Sequence, residues 1–187
     1  MQFPGKASWQ VRFEASSLPL HSALFVREAC GVPVTHDVAP PLLLMTPPPA
    51  PVQVSATDWE AWWSALAASD SWAAWDPRSL APAGLAQALD QLGNEPFEWV
   101  AQHVREVDRY REPAFSLPVL EAVTELEHEL GRRSLMDVGI EGLAVQSDWV
   151  EVSGDGSVVC ASWAALDHAR DWLTDALRPA FRRSQCR

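Results

Sequence analysis

Three groupings in this 187-residue sequence have the residue types and spacing that proton transfer or nucleophilic attack would need. His103 and Glu106 stand three apart, one helical turn after Trp99, so the imidazole could stack on the indole and act as a general base tuned by the carboxylate. His168 and Asp171 repeat that spacing beside Asp167 and offer a second acid–base pair. Cys30, followed by His36 and Asp37, has the composition of a nucleophile with its base and orienting acid. Such groups normally meet through the fold and not along the chain, so Cys30 is read as a small apolar residue. Against each histidine stands the simpler reading of a solvated or boundary polar group; the catalytic candidates are confined to His103, Glu106, His168 and Asp171.

Other chemistry is excluded by pattern. The run Glu127-His128-Glu129 does not form a metal set, because consecutive helical side chains diverge by about 100°. Lys6 is the only lysine, so no Gly-Lys-Ser/Thr phosphate loop exists, and neither a nucleophile elbow nor a His-Glu-x-x-His helix occurs. The expectation is no metal and no cofactor.

Tryptophan is the residue used beyond ordinary rates: ten in all, with Trp59, Trp62, Trp63, Trp72 and Trp75 inside seventeen positions. Each indole brings roughly 150–250 Å² of surface, more than one short helix can hide beneath itself. Either the preceding proline-rich segment covers the cluster, or part of it faces solvent. Asp58, Glu60 and Asp70 beside it, with Asp76, would rim an exposed cluster, and indoles are enriched at interface hot spots. This region is therefore the candidate partner-binding surface.

Charge narrows the partner. The chain has 14 basic and 25 acidic residues, a net of −11, and residues 54–151 alone hold six arginines against eighteen acids. Such a surface repels phosphate backbones and anionic lipids. A basic protein partner is expected, with no nucleic acid and no membrane; Arg178, Arg182, Arg183 and Arg187 read as helix-end dipole partners. A homo-oligomer burying the indoles stays open, as does an alternative function in which a Trp-lined pocket and a His/carboxylate pair serve a small-molecule enzyme. Three cysteines without a Cys-x-x-Cys, and an N-terminus without an apolar leader run, point to a cytoplasmic protein.

These residues need elements to hold them. Trp9, Val11 and Phe13 alternate with polar neighbours as in a strand. Leu20 to Cys30 reads as a helix ended by Gly31, and residues 38–56 as a proline-rich connector lying against the body. Thr57 with Glu60 suggests a capping box before Trp59, Trp62, Trp63 and Leu66. Pro82 opens a helix with Leu85, Ala88, Leu89 and Leu92 inward and Gly93 closing it. Asn94 caps the next, with Phe97, Val100, Ala101, Val104 and Val107 inward; Ser116 caps another carrying Leu120, Val123, Leu126 and Leu130. Residues 149–160 read as a hairpin turning at Gly154-Asp155-Gly156. Ser162 then caps a closing helix halted near Pro179. The expected fold is α+β: a single domain over 1–183, about five or six helices, a small antiparallel sheet of the N-terminal strand and the C-terminal hairpin, and a disordered tail at 184–187.

Overall fold

The alternating N-terminal residues do form a strand, β1 (Gln10–Glu14), in the computed structural model, which describes residues 9–14, 17–34, 38–43, 46–69, 76–103 and 112–184, the side chains of 103 and 112–115 excepted. Its neighbour, however, is not the hairpin. β1 pairs in parallel with β2 (Asp137–Leu143), Val11 opposite Val138 and Phe13 opposite Ile140. β2 pairs in parallel with β4 (Val158–Ser162), which pairs antiparallel with β3 (Val150–Val152). The α+β class stands, but the sheet is mixed and four-stranded, ordered β1-β2-β4-β3, and not the expected antiparallel one.

The added strand explains the correction. β2 reads Asp-Val-Gly-Ile-Glu-Gly-Leu, with two glycines and two acids that strands usually avoid. It shows no alternation because an interior strand is covered on both faces, and every position from Val138 to Leu143 is buried. A parallel pair also requires a crossover, and here that crossover is the whole helical middle of the chain.

Seven α-helices lie among the described residues. α1 (Leu18–Cys30) closes at Gly31, whose φ of 62° is the left-handed geometry that glycine adopts without strain. α1 is buried around its whole circumference from Pro19 to Arg27, as suits a central helix. α2 (Ala56–Ala68) starts two residues earlier than expected: its cap is Ser55, which accepts the Asp58 N–H, and not Thr57. α3 (Ala83–Leu92) buries the four residues anticipated for it. α4 (Glu95–His103) buries Val100 but exposes Ala101, while Val104 and Val107 lie outside the described residues.

α5 (Glu112–Leu130) begins before Ser116; Val123 and Leu126 are buried as expected and Leu130 packs against the core, but Val119 and Ala122 complete the inward arc in place of Leu120, which is exposed. The closing segment is two helices, α6 (Trp163–Asp167) and α7 (Leu173–Arg183), joined by a single 3-10 turn. Pro179 sits inside α7 without ending it. Gly156, at the tip of the hairpin with φ 69°, lies against that helix; a Cβ there would stand 2.8 Å from the Ala180 nitrogen.

The connector is packed on the body. The buried Arg27 guanidinium donates to the carbonyls of Ala39 and Pro40 and lies over the Trp59 ring at 5.7 Å. Leu42 forms an antiparallel bridge with Val145, and the Ala50 N–H donates to Ala29 O at the end of α1. One contiguous core joins both faces of this arrangement.

Candidate functional site

The tryptophans are placed first because they carry the expected surface. Trp59 and Trp62 are fully buried and Trp63 is 2% exposed. Trp59 donates from Nε1 to Ala23 O at 2.8 Å, and Trp62 to Pro77 O at 2.9 Å. Trp63 stacks on Trp59 with centroids 5.4 Å apart and meets Trp149 at 6.4 Å; its own N–H finds no acceptor among the described residues. These three are therefore core and not exposed anchors. The expectation failed because α1 supplies a second apolar wall, which a reading of α2 alone does not contain. Trp72, Trp75 and Asp70 lie outside the described residues.

The acid rim fares differently. Asp58 and Glu60 are half-buried on α2. The Asp58 carboxylate lies so close to Gly84, in the first turn of α3, that a Cβ at that glycine would sit 2.4 Å from its oxygen. A carboxylate there complements the positive end of the helix dipole. Asp76, Asp90, Glu95 and Glu98 are exposed, and none of them takes part in an ion pair among the described residues. Arg78 is the one base among residues 54–103. It is turned inward, donating to Gly93 O and Asn94 Oδ1 and lying over the Phe97 ring.

The other acidic stretch finds partners across the molecule, two of them arginines. On α5, Glu121, Glu125 and Glu129 recur every four residues; Arg170, Thr174 and Arg178 recur likewise just before and along α7. Each pair spans 49 residues: Arg170 grips Glu121 at 2.9 and 3.1 Å, Thr174 donates to Glu125 at 2.8 Å, and Arg178 pairs with Glu129. That contact holds the Glu129 carboxyl below its ordinary range. Arg183 similarly binds Asp155, whose carboxylate also accepts from Ser153 and Ser157 and is held well below the usual value. Arg178 and Arg183 thus have named carboxylate partners beyond any helix-dipole role, while Arg187 lies outside the described residues.

Of the two catalytic pairs, only His168 with Asp171 lies among the described residues, and their side chains do not meet. His168 is exposed, and its Nε2 meets Asp148 Oδ2 at 2.9 Å, from the loop after β2; no side-chain contact with Asp171 accompanies it. Asp148 is the residue that spacing missed, since only the fold brings positions twenty apart together. The His103 side chain, Glu106, His36 and Asp37 lie outside the described residues. Burial pushes the Cys30 thiol up, away from the thiolate a nucleophile needs, and Cys160, wholly buried near Glu141, is pushed up further. Glu127 turns to the Ser134 N–H while Glu129 turns to Arg178, so the acidic run around His128 diverges as helical geometry requires. Among the described residues no three His, Cys, Asp or Glu groups converge as metal ligands, and no helix is long and apolar enough to cross a membrane.

His21 is the histidine that sequence reasoning overlooked. It is fully buried on α1, with Nδ1–H donating to Ser17 O at 2.8 Å and Nε2 accepting the Ala144 N–H at 2.8 Å. Both nitrogens are engaged by backbone, which fixes the neutral tautomer. Desolvation lowers its pKa to about 4. The residue latches the start of α1 to the end of β2 and has no free nitrogen for catalysis.

Three clefts open among the described residues. About 360 Å³ opens between Leu135, Asp137, Asp155 and Arg183; about 300 Å³ between Arg27, Glu28, Val34 and Pro41; and about 220 Å³ between Pro51, Gln53, Gln87 and Gln91. None of the three is lined by a tryptophan or a histidine, so they lend nothing to an indole-lined enzyme pocket. No protein-family model, no curated protein and no solved structure matches this chain.

Proposed function

We propose that this protein is a non-catalytic binding module that docks a basic protein partner through the acidic surface of α2, α3 and α4. One observation carries the reading: Asp76, Asp90, Glu95 and Glu98 are exposed and have no ion-pair partner among the described residues, and Arg78, the one base in that stretch, is committed to the Gly93 carbonyl. A basic partner supplies the missing charges, and such complementarity steers encounter and makes association salt-dependent. The buried Trp59, Trp62 and Trp63 serve this reading as a rigid platform beneath the surface, not as its anchors.

The test is affinity capture from the native cell with the full chain, its Asp90→Lys/Glu98→Lys variant, and Glu121→Gln as a control in the paired region. Basic proteins identified by mass spectrometry should be retained by the wild type and the control, lost by the double variant, and released by about 0.5 M salt. Equal capture by all three would remove the acidic layer as the docking surface.

A further inference from the structure

The proline-rich connector is not absorbed by the acidic layer, and its geometry has a partner chemistry of its own. Over Thr46-Pro47-Pro48-Pro49-Ala50-Pro51, four prolines have φ near −65°, and every residue that precedes one is driven to extended or polyproline II backbone. No helix or strand occurs from Thr46 to Ser55. Pro47 is buried and Ala50 half-buried, whereas Pro48 and Pro51, three residues apart as in one turn of polyproline II, are exposed with Pro49 between them, and the chain bends at Pro51. The segment is held from below by the Ala50 N–H bond to Ala29 O at 2.7 Å.

Two further features suit recognition. The carbonyls of the exposed Pro48 and Pro49 accept no hydrogen bond from the described residues. The cleft of about 220 Å³ opens directly beside Pro51, with the amides of Gln53, Gln87 and Gln91 around it. Its lining is mostly polar, so a tyrosine or tryptophan entering beside Pro51 would find hydrogen-bonding amides around its polar end.

We infer that Pro48 and Pro51 form a docking ridge for a domain with an aromatic-lined, polyproline-reading groove, of the kind found in Src-homology 3 and WW domains. Such grooves stack aromatic rings on prolines three apart and donate indole or phenol hydrogens to the intervening carbonyls. Holding the ridge on the body removes the ordering entropy that a free peptide loses on binding. The surface is independent of the acidic layer. Residues 38–57 contain no charge, so its binding is salt-insensitive where that of the layer is not.

The test titrates the full-length chain with a panel of purified Src-homology 3 and WW domains, followed by calorimetry and by amide shifts in the NMR spectrum. The expected result is saturable binding by at least one domain, unchanged within twofold between about 0.05 and 0.5 M salt. Shifts should be confined to Ala50, Val52, Gln53 and the facing residues of α3. Pro48→Ala/Pro51→Ala should weaken binding at least tenfold, while Asp90→Lys/Glu98→Lys leaves it intact. Binding by no panel member, shifts elsewhere, or full binding by the proline variant would overturn the inference. The amide map reads the wild type, so it decides the matter even if the proline variant folds poorly.

Discussion

The two acidic regions of the molecule differ in what stands opposite their carboxylates. Along α5, Glu121, Glu125 and Glu129 meet Arg170, Thr174 and Arg178 in register. Across α2–α4, Asp90, Glu95 and Glu98 face solvent, and Arg78, the only base in the stretch, is turned away. Equal acidity in sequence therefore has two meanings: a cross-helix seam that spends its charge inside the fold, and a layer whose field reaches outward. The proposed basic partner is assigned to the second.

Several measurements can break or sharpen this contrast. The largest effect should come from the platform under the layer. Trp59→Ala removes a buried indole, its stack on Trp63 and its bond to Ala23 O, and should cost roughly 3–5 kcal/mol in urea unfolding. Trp63→Phe, which discards an N–H without an acceptor, should cost clearly less. A loss below about 1 kcal/mol for Trp59→Ala would mean that the layer does not rest on these indoles.

Acid titration separates the latch from both acidic regions. The folded pKa of His21, about 4, is below its unfolded value of 6.5, so the unfolded chain binds the extra proton first. Stability is then lost as pH falls from 6.5 towards 4, by roughly 3 kcal/mol in total. Asp155 and Glu129 are held down by their partners and contribute losses only below their ordinary carboxylate values. A His21→Gln variant should flatten the stability profile between pH 6.5 and 4. If its slope matches the wild type, the latch is not the source.

Gly156→Ala tests the seam side of the molecule through its backbone. The positive φ and the approach to Ala180 predict a cost of roughly 1–3 kcal/mol, read from the urea midpoint. The smallest effect belongs to the seam's exposed charges. Glu121→Gln should lower stability by about 0.5 kcal/mol or less, and the difference should shrink at high salt. Glu98→Gln should leave stability the same or slightly higher, since it relieves self-repulsion without breaking a pair. Equal losses in the two variants would erase the distinction between layer and seam.

What could be read along the chain was whatever repeats within a few residues. Leu85, Ala88, Leu89 and Leu92 declared α3 by their period, and the Gly-Asp-Gly turn declared the β3–β4 hairpin. The packed connector followed from prolines set around apolar residues. β2 was illegible because both of its faces are covered, so the alternation that reveals a half-exposed strand is missing. Leu120 misled because Leu120, Val123 and Leu126 also keep helical spacing, and only the neighbouring helices set which arc turns inward.

The candidate site divides the same way. The acid excess of residues 54–151 is a property of composition, and the sequence alone established it. Which acids keep their charge free was decided by the fold, through pairs 49 residues apart that no local spacing encodes. The tertiary structure likewise gave His168 to Asp148 and joined His21 to Ala144 across 123 residues. It also closed α1 over the tryptophans. Periodicity and caps arise from hydrogen bonds a turn or two long, whereas burial and ion pairing depend on what the rest of the chain brings to the other side.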